Sequence, residues 1–220
     1  HPDAIPDHEI LVAGFPCQPF SLAGVPVSKF LDKKSGFEHP TQGTMFFEIE
    51  KILRAKHPKA FLLENVKNLK SHDKGRTFQI ILDTLQDPNG LNYKVEWAIL
   101  DASKVVPQHR ERTYIVGFAD HNIEFNFPSL QPRTPELTLK DDILETTVNP
   151  KYQISEHIWK YFRERKIIQQ AKGNGFSYGI VDPDQPGVIT RTLTARYYKD
   201  GAEIFVKNEH PTPRRLTPRE

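Results

Sequence analysis

The chain has 220 residues, with 30 Lys or Arg against 28 Asp or Glu and a formal net charge of +2. That length can bury a good core as one domain, or as one domain with a small appendage, and no apolar run approaches the length of a membrane span. The single cysteine, Cys17, excludes an internal disulfide framework, and together with the lack of a secretory leader it predicts a cytoplasmic protein.

The apolar run over residues 9–13 predicts a short buried strand. Directly after it come Gly14-Phe15-Pro16-Cys17-Gln18-Pro19-Phe20-Ser21. Both prolines fix their own φ and push the preceding residue out of the helical region, so Cys17 sits on a stiff loop at a strand end, where reactive groups are displayed. Residues 25–40 read as a surface loop or lid. Met45, Phe46, Ile49, Ile52 and Leu53 then recur at helical spacing over 44–56. A second buried strand, 60–63, ends in Glu64-Asn65-Val66, and Phe78, Ile81, Leu82 and Leu85 mark one face of a helix that stops near Pro88. Residues 93–100 and 113–118 are rich in β-branched and aromatic residues and read as strands, with Gln108-His109-Arg110-Glu111-Arg112 between them.

Strand and helix alternate, which is an α/β plan with a mostly parallel sheet and ligands expected off the carboxyl ends of its strands. Cys17 and Glu64 each follow a strand and are expected to meet there. Past residue 120, prolines and polar residues mark a linker, a short helix over 139–144 follows, and the pattern changes. The remainder has one helix over 155–170 and strand-like pieces at 187–193 and 202–206. The expected organisation is a domain over 1–125, a linker over 126–150, a second domain over 151–213, and a return toward the first over 214–220. Residues 1–150 carry 17 basic and 20 acidic side chains, whereas 151–220 carry 13 and 8, so the second lobe has the basic excess of a polyanion-facing surface. The start at His1 and the stop inside a charged run point to part of a longer protein.

Gly14-Phe15-Pro16-Cys17-Gln18, Glu64-Asn65-Val66, Gln108-His-Arg110-Glu-Arg112 and Arg215-Leu-Thr-Pro-Arg-Glu220 together resemble four ordered signature blocks of the DNA cytosine-5 methyltransferases, and 42–47 resembles a fifth, weaker block. The stretch from Gly173-Asn-Gly-Phe to Arg191 and on to Ile204 is similar to bacterial Dcm-type members. The resemblance implies a Rossmann-like methyltransferase sheet, here incomplete, with a small mixed target-recognition domain over 151–213. It implies S-adenosylmethionine as cofactor, no metal, and duplex DNA as partner, with the target cytosine flipped out of the stack. A cognate restriction endonuclease, a bacterial restriction-modification setting and a monomer are further expectations.

The implied chemistry joins these residues. Cytosine C5 is too weakly nucleophilic to take a methyl group, so a thiolate matched by Cys17 adds at C6, and a carboxyl matched by Glu64 meets N3 and the exocyclic amine. Arg112 and Arg110 are implied near the base and its phosphates, where a guanidinium fixes O2 and compensates charge. Phe15, Gln18, Ser21, Asn65 and Gln108 are expected beside the base or DNA backbone, Phe15 through its carbonyl and Asn65 by ordering its turn. Arg191, Thr192, Arg196 and Lys199 are candidates for phosphate or base contact. Pro16 and Met45 are the expected cofactor neighbours. The family's Phe-x-Gly-x-Gly block and its closing block have no counterpart here, so this polypeptide is expected to bind the cofactor poorly. A tRNA cytosine-5 methyltransferase, and a non-catalytic DNA-binding module or half of a split enzyme, are the alternatives. The DNA word is not readable, although the Dcm-type similarity suggests a CC(A/T)GG-like site.

Overall fold

A computed structural model describes residues 2–15, 45–127, 137–173 and 178–220. Four strands form the main sheet: β1 (Ile10–Gly14), β2 (Ala60–Val66), β3 (Lys94–Asp101) and β4 (Glu111–Phe118), in the order β1-β2-β4-β3. Strands β1 and β2 are parallel, Gly14 opposite Glu64, and helix α1 (Met45–Lys56) lies between them in the chain. Strand β4 runs antiparallel to β2, pairing Glu64 with Tyr114 and Val66 with Arg112. The sheet is therefore mixed rather than mostly parallel. The link 102–110 is shorter than the dozen or so residues a parallel crossover needs, so the chain turns back after β3.

Helix α1 buries Phe46, Ile49 and Leu53, and helix α2 (Arg76–Gln86) buries Thr77, Phe78, Ile81 and Leu85. They pack with Phe61, Leu63, Leu69, Tyr93 and Ile115 into one core. Tyr93 is edge-on to Phe61 at 5.0 Å and donates its hydroxyl to Pro58 O at 2.7 Å. Burial pushes the Tyr93 phenol above its usual pKa. Strand β1 departs from the expected buried strand, because Ile10 is 63% and Val12 68% exposed; only Leu11 and Ala13 pack against the core. Strand β2 is longer than its apolar run. Glu64 and Asn65 continue the alternation inside the strand instead of following it, because both β1 and β4 offer ladder partners through Glu64.

The chain divides into two compact units, one comprising 1–100 and 111–128, the other 101–110 and 129–220. The strip 101–110 and the segment 214–220, both read from sequence with the first domain, group with the second unit. In that unit, helix α3 (Glu156–Ala171) starts at the N-cap Ser155, and the two-residue strands β5 (Ile180–Val181) and β6 (Phe205–Val206) pair in parallel. Between them helix α4 (Tyr197–Asp200) makes a single turn. The strand expected over 187–193 is absent apart from one bridge at Thr190, and the expected 202–206 strand shrinks to β6. Leu139, Val181, Ile204, Val206 and Leu216 form one small core, and Ile154, Phe162 and Phe205 another.

The C-terminal block is fastened within this unit. Arg214 Nη1 and Nη2 each donate to the Glu220 carboxylate at 2.7 Å, while Glu220 accepts the backbone N–H of Glu145 at 2.7 Å and of Thr217 at 2.8 Å. Arg214 and Glu220 side chains are almost fully buried. Burial raises the Glu220 pKa, but these donors outweigh it and hold the carboxyl below its usual value. Removing one partner of such a pair leaves an uncompensated charge.

Candidate active site

The carboxylate at the end of β2 is assembled by register. Side chains at alternate positions of a strand share a face. Phe61, Leu63 and Asn65 enter the core, so Glu64 points to the other face. Arg112, opposite Val66 on β4, is its diagonal neighbour on that same face. Arg112 Nε lies 2.8 Å from Glu64 Oε1, and Arg112 Nη1 donates to Glu111 O at 2.8 Å. Across the other edge, Gly14 faces Glu64, and a Cβ there would stand 3.3 Å from Glu64 Oε2. The glycine of the Gly-Phe-Pro-Cys sequence therefore leaves room for the carboxyl.

Asn65 holds the chain entering the cysteine loop. Only 2% exposed, it donates from Nδ2 to Phe15 O at 2.7 Å and accepts Val66 N–H on Oδ1 at 2.8 Å. Phe15 N donates to Glu64 O at 3.4 Å, and the Phe15 ring is buried 5.8 Å from that of Phe46. The Phe15 carbonyl, expected beside the base, thus has an intramolecular donor. Pro16, Cys17, Gln18 and Ser21, and the loop expected over 25–40, lie outside the described residues. Lys67 is paired through Nζ with Glu111 at 2.7 Å.

Gln108 and Arg110 precede β4. Gln108 bridges Thr190, and Arg110 N–H donates to Asp101 Oδ1 at 2.9 Å, while the Arg110 guanidinium has no hydrogen-bond or ion-pair partner among the described residues. Asp101 Oδ2 lies 2.6 Å from His109 Nδ1. Burial raises the Asp101 pKa, but the backbone N–H groups of Ser103 and Arg110, the Ser103 hydroxyl and His109 outweigh it and bring the carboxyl to about 2. Sequence reasoning passed over Asp101 and Thr190. Asp101-Ala-Ser103 at a strand end is a side-chain capping signal, which the structure uses, but nothing local marks Thr190.

Of the residues expected to touch DNA from the second lobe, Arg191, Arg196 and Lys199 are exposed, and Arg196 caps the single turn of α4. Thr192, a candidate from the same stretch, donates its hydroxyl to His109 O at 2.5 Å. Met45 is half exposed at the start of α1. Two clefts of about 430 and 420 Å³ are both in the second unit, and neither includes Met45 or Glu64. Of the two expected cofactor neighbours, the described residues include Met45 and not Pro16. The described residues contain no cluster of metal-ligating side chains and no helix long and apolar enough to cross a membrane.

A family model described as C-5 cytosine-specific DNA methylase matches residues 1–220. The type II methyltransferase M.NlaX of Neisseria lactamica is 49% identical over 217 residues, covering 98% of this chain and 64% of the relative. The DNA-cytosine methyltransferase of Escherichia coli K12 is 45% identical over 246 residues, covering 98% of this chain and 51% of the relative. The chain thus spans between half and two thirds of the length of these curated relatives. The solved structure of the Entamoeba histolytica methyltransferase EhMeth superposes with a TM-score of 0.64 over 96% of this chain and 62% of that one, at 18% identity, a likeness of fold. The family model matches the whole chain and the relatives are nearly half identical along it: the chain belongs to the C-5 cytosine-specific DNA methylase family.

Proposed function

We propose that this chain carries the cytosine-activating part of an enzyme that methylates C5 of a flipped-out cytosine at a specific site in duplex DNA. The observation that supports it most is the Glu64–Arg112 pair at 2.8 Å, set beside Gly14, which precedes Cys17 by three residues in the sequence. Arg112 orients the carboxyl and compensates its charge. Asn65, through the Phe15 carbonyl, fixes the direction in which the chain enters the Cys17 loop.

In the reaction the Cys17 thiolate forms a bond to C6, the C5–C6 π pair moves into the ring, and Glu64 supports the resulting charge at N3 by hydrogen bond or proton transfer. C5 is then electron-rich. S-adenosylmethionine supplies the methyl group in this reading, and this polypeptide binds it weakly on its own. Residues 151–213 act as the target-recognition domain, with Arg191, Arg196 and Lys199 toward the phosphates or bases. A partner endonuclease reading the same word and a monomeric enzyme complete the proposal.

A donor-independent experiment tests the core of it. Once thiolate has added at C6, C5 takes a deuteron from D2O, loses its proton and expels the thiolate. The chain is therefore expected to put deuterium on cytosine C5 of unmethylated plasmid duplex, read by nucleoside mass spectrometry. Exchange should vanish in Cys17→Ser and fall roughly 10²- to 10⁴-fold in Glu64→Gln. Exchange persisting in Cys17→Ser overturns the reading; exchange on tRNA but not on duplex transfers it to an RNA substrate. Calorimetric binding of S-adenosylmethionine at micromolar affinity would overturn the weak-binding part.

A further inference from the structure

The segment 107–110 is held from two directions. From the end of β3, Asp101 Oδ1 accepts the backbone N–H of Ser103 at 3.1 Å and of Arg110 at 2.9 Å, Oδ2 meets His109 Nδ1 at 2.6 Å, and Ala102 N donates to Arg110 O at 3.1 Å. From a stretch 83 positions later, Thr190 donates to Pro107 O through its N–H at 2.9 Å and its hydroxyl at 3.1 Å. The Thr190 carbonyl accepts His109 N–H at 2.8 Å, and Thr192 Oγ1 donates to His109 O at 2.5 Å. Thr190 and Pro107 are buried, so water does not compete well for these bonds.

A surface turn needs few of these contacts. Their number and their two origins leave the φ and ψ of 107–110 little freedom, and Gln108 and Arg110 project from that backbone. Arg191, exposed, is one residue from each threonine of the clasp. A phosphate gripped by Arg191 would therefore bear directly on the backbone that aims Gln108 and Arg110.

We propose that Asp101 and Thr192 are positioning residues that lock the Gln108–Arg110 backbone from opposite sides and tie it to the DNA-contacting stretch at Arg191. The consequence for catalysis rests on the cytosine methylation reading, in which Gln108 and Arg110 face DNA and base. Misplacing a substrate-positioning group by an ångström costs on the order of 10²-fold in rate, and it does so in turnover more than in DNA affinity.

The test compares the chain with Asp101→Ala, Asp101→Asn and Thr192→Val in two measurements: amide hydrogen exchange at His109 and Arg110, and the kcat and KM of cytosine C5 deuteration on unmethylated plasmid duplex. In Asp101→Ala the Arg110 amide is expected to exchange roughly ten-fold faster or more, and kcat to fall roughly 10- to 100-fold with KM for DNA nearly constant. Asp101→Asn keeps a side-chain oxygen at the Oδ1 position and should restore most of the protection and turnover. Thr192→Val should lower kcat roughly 3- to 10-fold. The proposal is overturned if Asp101→Ala and Thr192→Val keep wild-type kcat. It is also overturned if Asp101→Asn fails with Asp101→Ala and kcat, KM and melting temperature decline together, as for a fold defect. A wild-type chain that deuterates no cytosine counts against the methylation reading alone; amide protection then decides the clasp, and unchanged protection in both variants overturns it.

Discussion

Gly14 shows how one missing side chain serves a neighbour. Its ideal Cβ would lie 3.3 Å from Glu64 Oε2, tighter than a comfortable contact, and 3.9 Å from Glu64 O. Gly14→Ala is therefore expected to displace the Glu64 carboxyl by a few tenths of an ångström and to slow cytosine C5 deuteration roughly ten-fold, with little change in melting temperature. Unchanged exchange kinetics would show that the carboxyl has room to spare. Asp101 gives a pH signature. Its folded pKa of about 2 lies below the ordinary aspartate value of 3.8, so its contribution to stability is complete above about pH 4 and disappears as pH falls toward 2. The wild-type chain should lose stability across that window in acid titration followed by circular dichroism, and Asp101→Asn should lose less.

At the scale of elements, β2 is the part of the design that sequence patterns only half disclose. Its apolar run Ala60–Leu63 was legible, but the continuation through Glu64 and Asn65 depends on ladders from both neighbours. The close approach of β4 to β2 also depends on a glycine. A Cβ on Gly117 would fall 2.2 Å from the Phe61 ring, which is 1% exposed and packed on Tyr93. Gly117→Ala is expected to destabilise the fold by about 1–3 kcal/mol or more, since the ring has nowhere to go. Thermal unfolding would check it, and an unchanged melting temperature would mean that β4 can slide. The helices were legible because their apolar faces repeat within a few residues. The strands expected at 187–193 and 202–206 were not, because their β-rich residues serve a bridge to Gln108 and two small cores instead.

For the whole molecule, the basic excess of 151–220 is the property that a DNA reading must use. Arg191 and Lys199 are exposed, and neither makes a hydrogen bond through its side chain to another described residue. Duplex affinity is expected to fall steeply between about 50 and 200 mM salt, and Arg191→Ala and Lys199→Ala each to reduce the log–log salt slope by about one, measured by fluorescence anisotropy. An unaltered slope in both variants would move the DNA surface elsewhere. Sequence alone determined the residue types and their order: the cysteine between prolines, the carboxylate after an apolar run, the two arginines before a strand. Those follow from local composition and short-range periodicity. The mixed sheet, the diagonal meeting of Glu64 with Arg112, the space left by Gly14 and the clasp of Thr190 and Thr192 on 107–110 were decided by the tertiary structure. Each joins residues far apart in the chain, and which of them touch depends on strand register and on hydrogen bonds that no local window contains.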